Sequence, residues 1–257
     1  MRKRLRPGAA WDTGERLKLH RREMRLDGRE FVVVSPRPGT EVRFSTNYFH
    51  GTWHILSDLH GARFLARLMW GLAYQRRAGT VVVVDQDFID PEPFGGAPGF
   101  PFVLVPSNLT HLTTEALKQL KRQLPLRKAP DGTVRWHTPG LGRAEVPRIR
   151  QHDRVVAEFY QMYGLVVFAA APALMRVWAD YTHTLGENLL NGMDYTELDN
   201  AWRDGGWGEV QIFTDYHRRV SAARVARAEL RTELGAEPDE ETVWDRGEEV
   251  RGRRGYL

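Results

Sequence analysis

Four side chains in this sequence have the types and spacing to hold a divalent metal: Asp58, His60, Asp87 and Asn108. Asp58 and His60 stand two residues apart, directly after the strand-like run Trp53-His54-Ile55-Leu56. Asp87 follows the run Val81-Val82-Val83-Val84, and Asn108 follows Phe102-Val103-Leu104-Val105. If three neighbouring parallel strands ended at one sheet edge, these groups would converge there. Carboxylate, imidazole and amide oxygen together suit Mn, Fe or Zn. Two such ions would polarise a phosphate and make a bridging water nucleophilic at neutral pH. The same four residues are therefore the catalytic candidates and the metal ligands. Each also has a plain structural reading: Ser57-Asp58 as a helix N-cap, His60 as a first-turn surface residue, Asn108 as a cap or turn.

Positioning such a site requires alternating strands and helices. Phe31–Val34 reads as a strand ended by Ser35-Pro36-Arg37-Pro38-Gly39, and a second strand is expected at Glu41–Ser45. After Asp58, Leu65, Leu68, Met69, Leu72 and Ala73 recur at helical spacing until Gly79. The all-valine run suits a strand buried on both faces of a parallel sheet. Pro91 to Pro101 is a Gly/Pro-rich loop. Thr113 or Thr114 caps a helix carrying Leu117, Leu120 and Leu124 on one face, and Pro125–Gly142 resembles a hairpin with Asp131-Gly132 at its turn. Helix, strand and helix are expected at 153–163, 165–170 and 173–181, a last strand at 210–213, and an arginine-rich helix at 216–234 ended by Gly235. Residues 16–25 have weak helical character, and 236–257 read as a loose charged tail.

The pattern predicts a layered α/β fold, a mainly parallel sheet flanked by helices, with a basic N-terminal arm and a helical C-terminal region. The expected organisation is an arm over 1–30, an α/β domain over 31–215, and an arginine-rich helix with a flexible tail over 216–257.

The quoted residues resemble the calcineurin-like metallophosphoesterases over roughly residues 53–111. That family's Asp-x-His-Gly motif is matched by Asp58-Leu59-His60-Gly61. Its Gly-Asp-x-x-Asp motif is matched by Gln86-Asp87-Phe88-Ile89-Asp90, with glutamine in place of the glycine. Its Gly-Asn-His motif keeps only Asn108 within Ser107-Asn108-Leu109. The later Gly-His-x-His turn has Tyr181-Thr182-His183-Thr184 as its nearest string, which implies His183 as a fifth metal ligand, with His137 and His152 as looser candidates. The resemblance implies a two-metal hydrolase of a phosphoester substrate. Its missing histidines imply a weakened or inactive relative.

Composition narrows the alternatives. The chain has 257 residues, 42% hydrophobic, enough for a substantial core. No run approaches the roughly 18 apolar residues of a membrane span, and no apolar segment follows the charged first residues, so a cytoplasmic protein with no membrane partner is expected. The absence of cysteine excludes disulfides, thiolate catalysis and Cys-based zinc sites. The formal charge is +4, with 32 arginines against five lysines. Residues 1–30 carry ten basic and five acidic side chains, and 218–231 carry five arginines against Glu229. Either segment could meet a nucleic acid or an acidic partner. The competing reading is therefore a non-catalytic α/β protein that binds nucleic acid or a macromolecular assembly through these basic surfaces. A third is an oligomer subunit with tryptophans at its interface.

Overall fold

Three two-residue turns organise the strands. Asp27-Gly28, His50-Gly51 and Tyr163-Gly164 all have positive φ at both positions, as a type I′ hairpin turn requires. They join β1 (Arg16–Leu26) to β2 (Arg29–Ser35), β3 (Ser45–Phe49) to β4 (Thr52–Leu56), and β8 (Ala157–Met162) to β9 (Leu165–Ala170). The remaining strands are β5 (Thr80–Val84), β6 (Phe102–Pro106), β7 (Gly132–His137), β10 (Tyr195–Leu198) and β11 (Val210–Phe213). The helices are α1 (Leu59–Ala73), α2 (Thr114–Arg122), α3 (Pro172–His183), α4 (Tyr216–Leu234) and α5 (Glu240–Arg253). This computed structural model describes residues 16–142, 157–186, 195–198 and 210–255.

Two sheets form, one of seven strands in the order β7-β1-β2-β5-β6-β9-β8 and one of four in the order β10-β11-β4-β3. Helices and sheets alternate in five layers. Helix α2 covers one face of the large sheet through Ala116, Leu117 and Leu120. Helices α1 and α3 lie between the two sheets, in a core running from Val82, Val84, Phe102 and Phe168 to Ile55 and Ile212. Helix α1 is accordingly buried nearly all round rather than along one stripe. Helices α4 and α5 close the outer face of the small sheet over Phe49, Leu56 and Phe213, with Trp244 of α5 packed against them.

The α/β class and its layering match the sequence reading, but the sheet is not mainly parallel. Among the described strands six pairings are antiparallel and three parallel. The physical reason is the connections: a parallel neighbour needs a crossover of a dozen or more residues, usually helical, whereas a tight turn returns the chain antiparallel. The segment expected as a basic arm is, from Arg16 to Leu26, an interior strand paired on both sides. Its start alternates Arg16-Leu17-Lys18-Leu19, a strand period rather than a helical one. Residues 1–15 lie outside the described residues. The stretch read as a helix at 153–163 is, in its described part, strand β8. The expected loose tail contains α5, capped at its start by Asp239. Among the described residues, no helix is long and apolar enough to cross a membrane.

Candidate functional site

The proposed ligands do not converge. Asp58 is the N-cap of α1; its Oδ1 accepts from the Gly61 backbone N–H at 2.7 Å. Gly61 is required there, because a Cβ would stand 1.9 Å from Ser57 Oγ. His60 is exposed on the first turn. Both follow β4, a strand of the small sheet, whereas Asp87 and Asn108 follow β5 and β6 of the large one. Those two strands are antiparallel, with Val84 opposite Phe102 and Val82 opposite Leu104. Asp87 therefore leaves one edge of the sheet and Asn108 the opposite edge, roughly 17 Å away at about 3.3 Å per residue over a five-residue strand. His183 ends α3, beside Gly142. Among the described residues, no group of three or more His, Asp or Glu side chains could hold a metal ion. The residues present do not fit a two-metal centre. Of the looser histidine candidates, His137 lies on β7 and His152 falls outside the described residues.

One expected ligand does line a cavity. At the carboxyl ends of the parallel neighbours β2 and β5 lies a groove of about 560 Å³. Arg22, Ser35, Thr40, Glu41, Arg43, Asp85 and Asp87 form its polar wall, with Pro36, Pro38, Phe88 and Leu126 as apolar lining. Its floor is structural. Arg22, 4% exposed, donates to Ser35 Oγ (3.0 Å), Leu126 O (2.9 Å) and Lys128 O (3.0 Å). Asp85, also 4% exposed, accepts from the backbone N–H groups of Gln86 and Leu126. These bonds pin the 126–128 segment over the strand ends. Glu41 and Asp87 are different: both are exposed, and neither carboxylate has an ion pair or hydrogen bond with a described residue. Arg43 bonds the Asp87 carbonyl and lies 3.8 Å from Asp90, with its side chain 59% exposed.

Beside the groove the sheet carries a ladder of cations. Cross-strand partners share a face, so the β1–β7 register puts Arg16 with His137, Lys18 with Arg135 and His20 with Thr133 on one side. His20 is also the cross-strand partner of Ser35, which lines the groove. Every residue of this face on β1, β2 and β7 is basic, apolar or a hydroxyl; none is acidic. Arg16, Lys18, Arg135 and His137 are exposed, and none has an ion pair or hydrogen bond through its side chain among the described residues. Arg37 adds a half-buried guanidinium whose Nε lacks a hydrogen-bond partner. Burial, then the charges of Arg22 and Arg37, push the His20 pKa down, which keeps this imidazole neutral near pH 7. The opposite face of β1 differs, since there Glu23 pairs with both Arg21 (3.5 Å) and Arg77 (3.0 Å).

Trp136 fixes β7 in place. It packs on α1 at Gly71, where a Cβ would meet the indole at 2.3 Å. The alternation of Arg16, Lys18 and His20 with Leu17 and Leu19, and of Thr133, Arg135 and His137 with Val134 and Trp136, was a readable signal of two half-buried strands. It could not disclose that the strands pair.

No family model matches the chain, and neither a curated protein nor a solved structure matches it.

Proposed function

We propose that this protein is a non-catalytic binder of single-stranded nucleic acid, which lies along the exposed β1–β7 face. The observation that carries this reading is the acid-free ladder of unpaired Arg16, Lys18 and Arg135, flanked by His20 and His137. Unpaired cations two residues apart on a strand, and facing each other across strands, form a rigid row against which a phosphate backbone can release its counterions. A sheet face also leaves the bases of a single strand accessible for stacking on neutral imidazole and for entry into the neighbouring groove. A membrane surface fits less well. The exposed large apolar residues Tyr48, Tyr74, Tyr163, Tyr181 and Leu234 are not on this face, and the adjoining groove carries carboxylates that anionic lipid would repel. Phosphoester hydrolysis at Asp58, His60, Asp87 and Asn108 lacks support, because strand polarity separates its ligands.

The test is fluorescence anisotropy of a labelled single-stranded RNA titrated with wild type and with Lys18→Ala/Arg135→Ala over a salt series. Three phosphate contacts predict a log–log salt slope of roughly −2, and each alanine should remove about 0.7 of it. A slope and affinity unchanged in the double variant would overturn the reading. So would retention on anionic vesicles with no RNA binding.

A further inference from the structure

The groove at the ends of β2 and β5 is poorly designed for phosphate alone, because Glu41 and Asp87, whose carboxylates have no partner among the described residues, line it. We infer that this groove is a base-reading pocket that takes a guanine from a strand held on the ladder, an inference that rests on the nucleic-acid reading above. Guanine presents two neighbouring N–H donors, N1–H and the N2 amino group, on its Watson–Crick edge, and the acceptors O6 and N7 beside them. A free carboxylate accepts both donors at once, and an arginine donates to the O6/N7 side. The groove wall supplies that combination: Glu41 and Asp87 as unpartnered acceptors, and the exposed guanidinium of Arg43 between them in the chain. Adenine and cytosine offer a single amino group next to a ring acceptor, which would face a carboxylate lone pair; uracil offers one donor between two acceptors.

Size and continuity support the same occupant. A groove of about 560 Å³ lies within the range that small-molecule sites occupy, and is ample for one nucleotide. The groove adjoins the ladder, since Ser35 of its floor is the cross-strand partner of His20. A strand lying over Lys18 and Arg135 can therefore turn one base past His20 into the groove, with its phosphate near Arg37. The apolar lining of Pro36, Pro38 and Phe88 gives the base faces a dry surface.

The experiment compares two labelled RNAs of equal length and salt, a guanine–uracil repeat and an adenine–uracil repeat, against the full chain. Wild type should prefer the guanine repeat by about tenfold or more, the discrimination expected of one bidentate base contact. Guanosine monophosphate should compete for the guanine repeat more strongly than adenosine monophosphate. Glu41→Gln/Asp87→Asn should bring the ratio of the two affinities to within about twofold, because an amide replaces half of each acceptor pair with a donor. Both side chains are exposed and unbonded, so circular dichroism of the variant should match wild type. Equal wild-type affinities for the two repeats, with a salt slope still lost in Lys18→Ala/Arg135→Ala, would overturn the guanine pocket and leave the ladder standing. Binding of neither repeat would overturn both. A wild-type preference that survives Glu41→Gln/Asp87→Asn would place base reading elsewhere and overturn this assignment.

Discussion

Two regions of this molecule are rich in arginine, and they use it in opposite ways. On the β1–β7 face Arg16, Lys18 and Arg135 have no ion-pair partner among the described residues. Between α4 and α5 nearly every arginine is consumed internally. Arg219 and Arg251, each 3% exposed, share Asp215 and Glu248: Arg219 Nε lies 2.8 Å from Asp215 Oδ1, Arg251 Nη2 lies 2.6 Å from Asp215 Oδ2, and Arg251 Nη1 lies 2.7 Å from Glu248. Farther out, Arg227 and Arg231 meet Glu237, Arg246 meets Glu229 and Glu233, and Arg253 meets Glu229. The Arg219 guanidinium also sits 4.0 Å over the Phe213 ring and 4.9 Å from that of Trp244. An arginine-rich stretch thus keeps its charge available to a partner only where folding supplies no carboxylates. For α4 they come from Asp215, Glu237 and Glu248, and α4 in turn supplies Glu229 and Glu233 to Arg246 and Arg253 of α5.

The largest expected effect lies in the buried pair. Asp215→Ala should cost about 3–5 kcal/mol in urea unfolding, because it leaves two buried guanidiniums short of a counterion. RNA affinity of the folded protein should hold, since the ladder is on the other sheet. An Asp215→Ala protein as stable as wild type would mean that the network contributes packing rather than charge balance.

The next effect sharpens the same region by pH. His54, 3% exposed, stacks on Trp244 at 4.7 Å and shares a 2.7 Å hydrogen bond between its Nδ1 and Asn47 Oδ1. Burial chiefly, with the positive charge of Arg219 next, lowers its pKa to about 3. An unfolded histidine titrates near about 6.5, so below that pH the unfolded chain binds a proton that the folded one refuses. The stabilisation is complete above about 6.5 and drains away as pH falls toward about 3. Roughly 3 kcal/mol should vanish between pH 7 and pH 4, and His54→Gln should flatten that part of the stability profile. A profile with the same slope in the variant would exclude His54 as its source.

The smallest effect belongs to the exposed pairs on the same helices. Glu233→Gln removes one partner of Arg246, and its small loss of melting temperature should disappear at high salt, where exposed pairs are screened. A salt-resistant loss would show that the α4–α5 contact depends on this pair.

Much of the chain's local structure was legible. A helix capped by Ser57 or Asp58, a cap at Thr113 or Thr114, the strands at 81–84, 102–105, 165–170 and 210–213, and the helix over 216–234 ended by Gly235 all follow from patterns within a few residues, although the first helix stops at Ala73, before Gly79. Two further local signals bear on the strand pairing. Asp27-Gly28 between alternating segments marks a hairpin, and so places β1 in the sheet. The Gly/Pro-rich stretch from Pro91 to Pro101 cannot form the crossover helix that a parallel β5–β6 pair needs. That second signal bears on the site directly, since the convergence of Asp87 with Asn108 presupposed parallel strands.

By itself, then, the sequence determined which segments become helices and strands, where they are capped, and which side chains alternate inward and outward, because those depend on neighbours a few bonds away. Tertiary structure alone decided which strands became neighbours and in which direction. Pairing brings together residues more than a hundred positions apart, such as Lys18 and Arg135, under a register that one shifted residue would invert. That choice sent Asp87 and Asn108 to opposite edges, set the arginines and acids of α4, α5 and their flanks against one another, and left Arg16, Lys18 and Arg135 facing solvent.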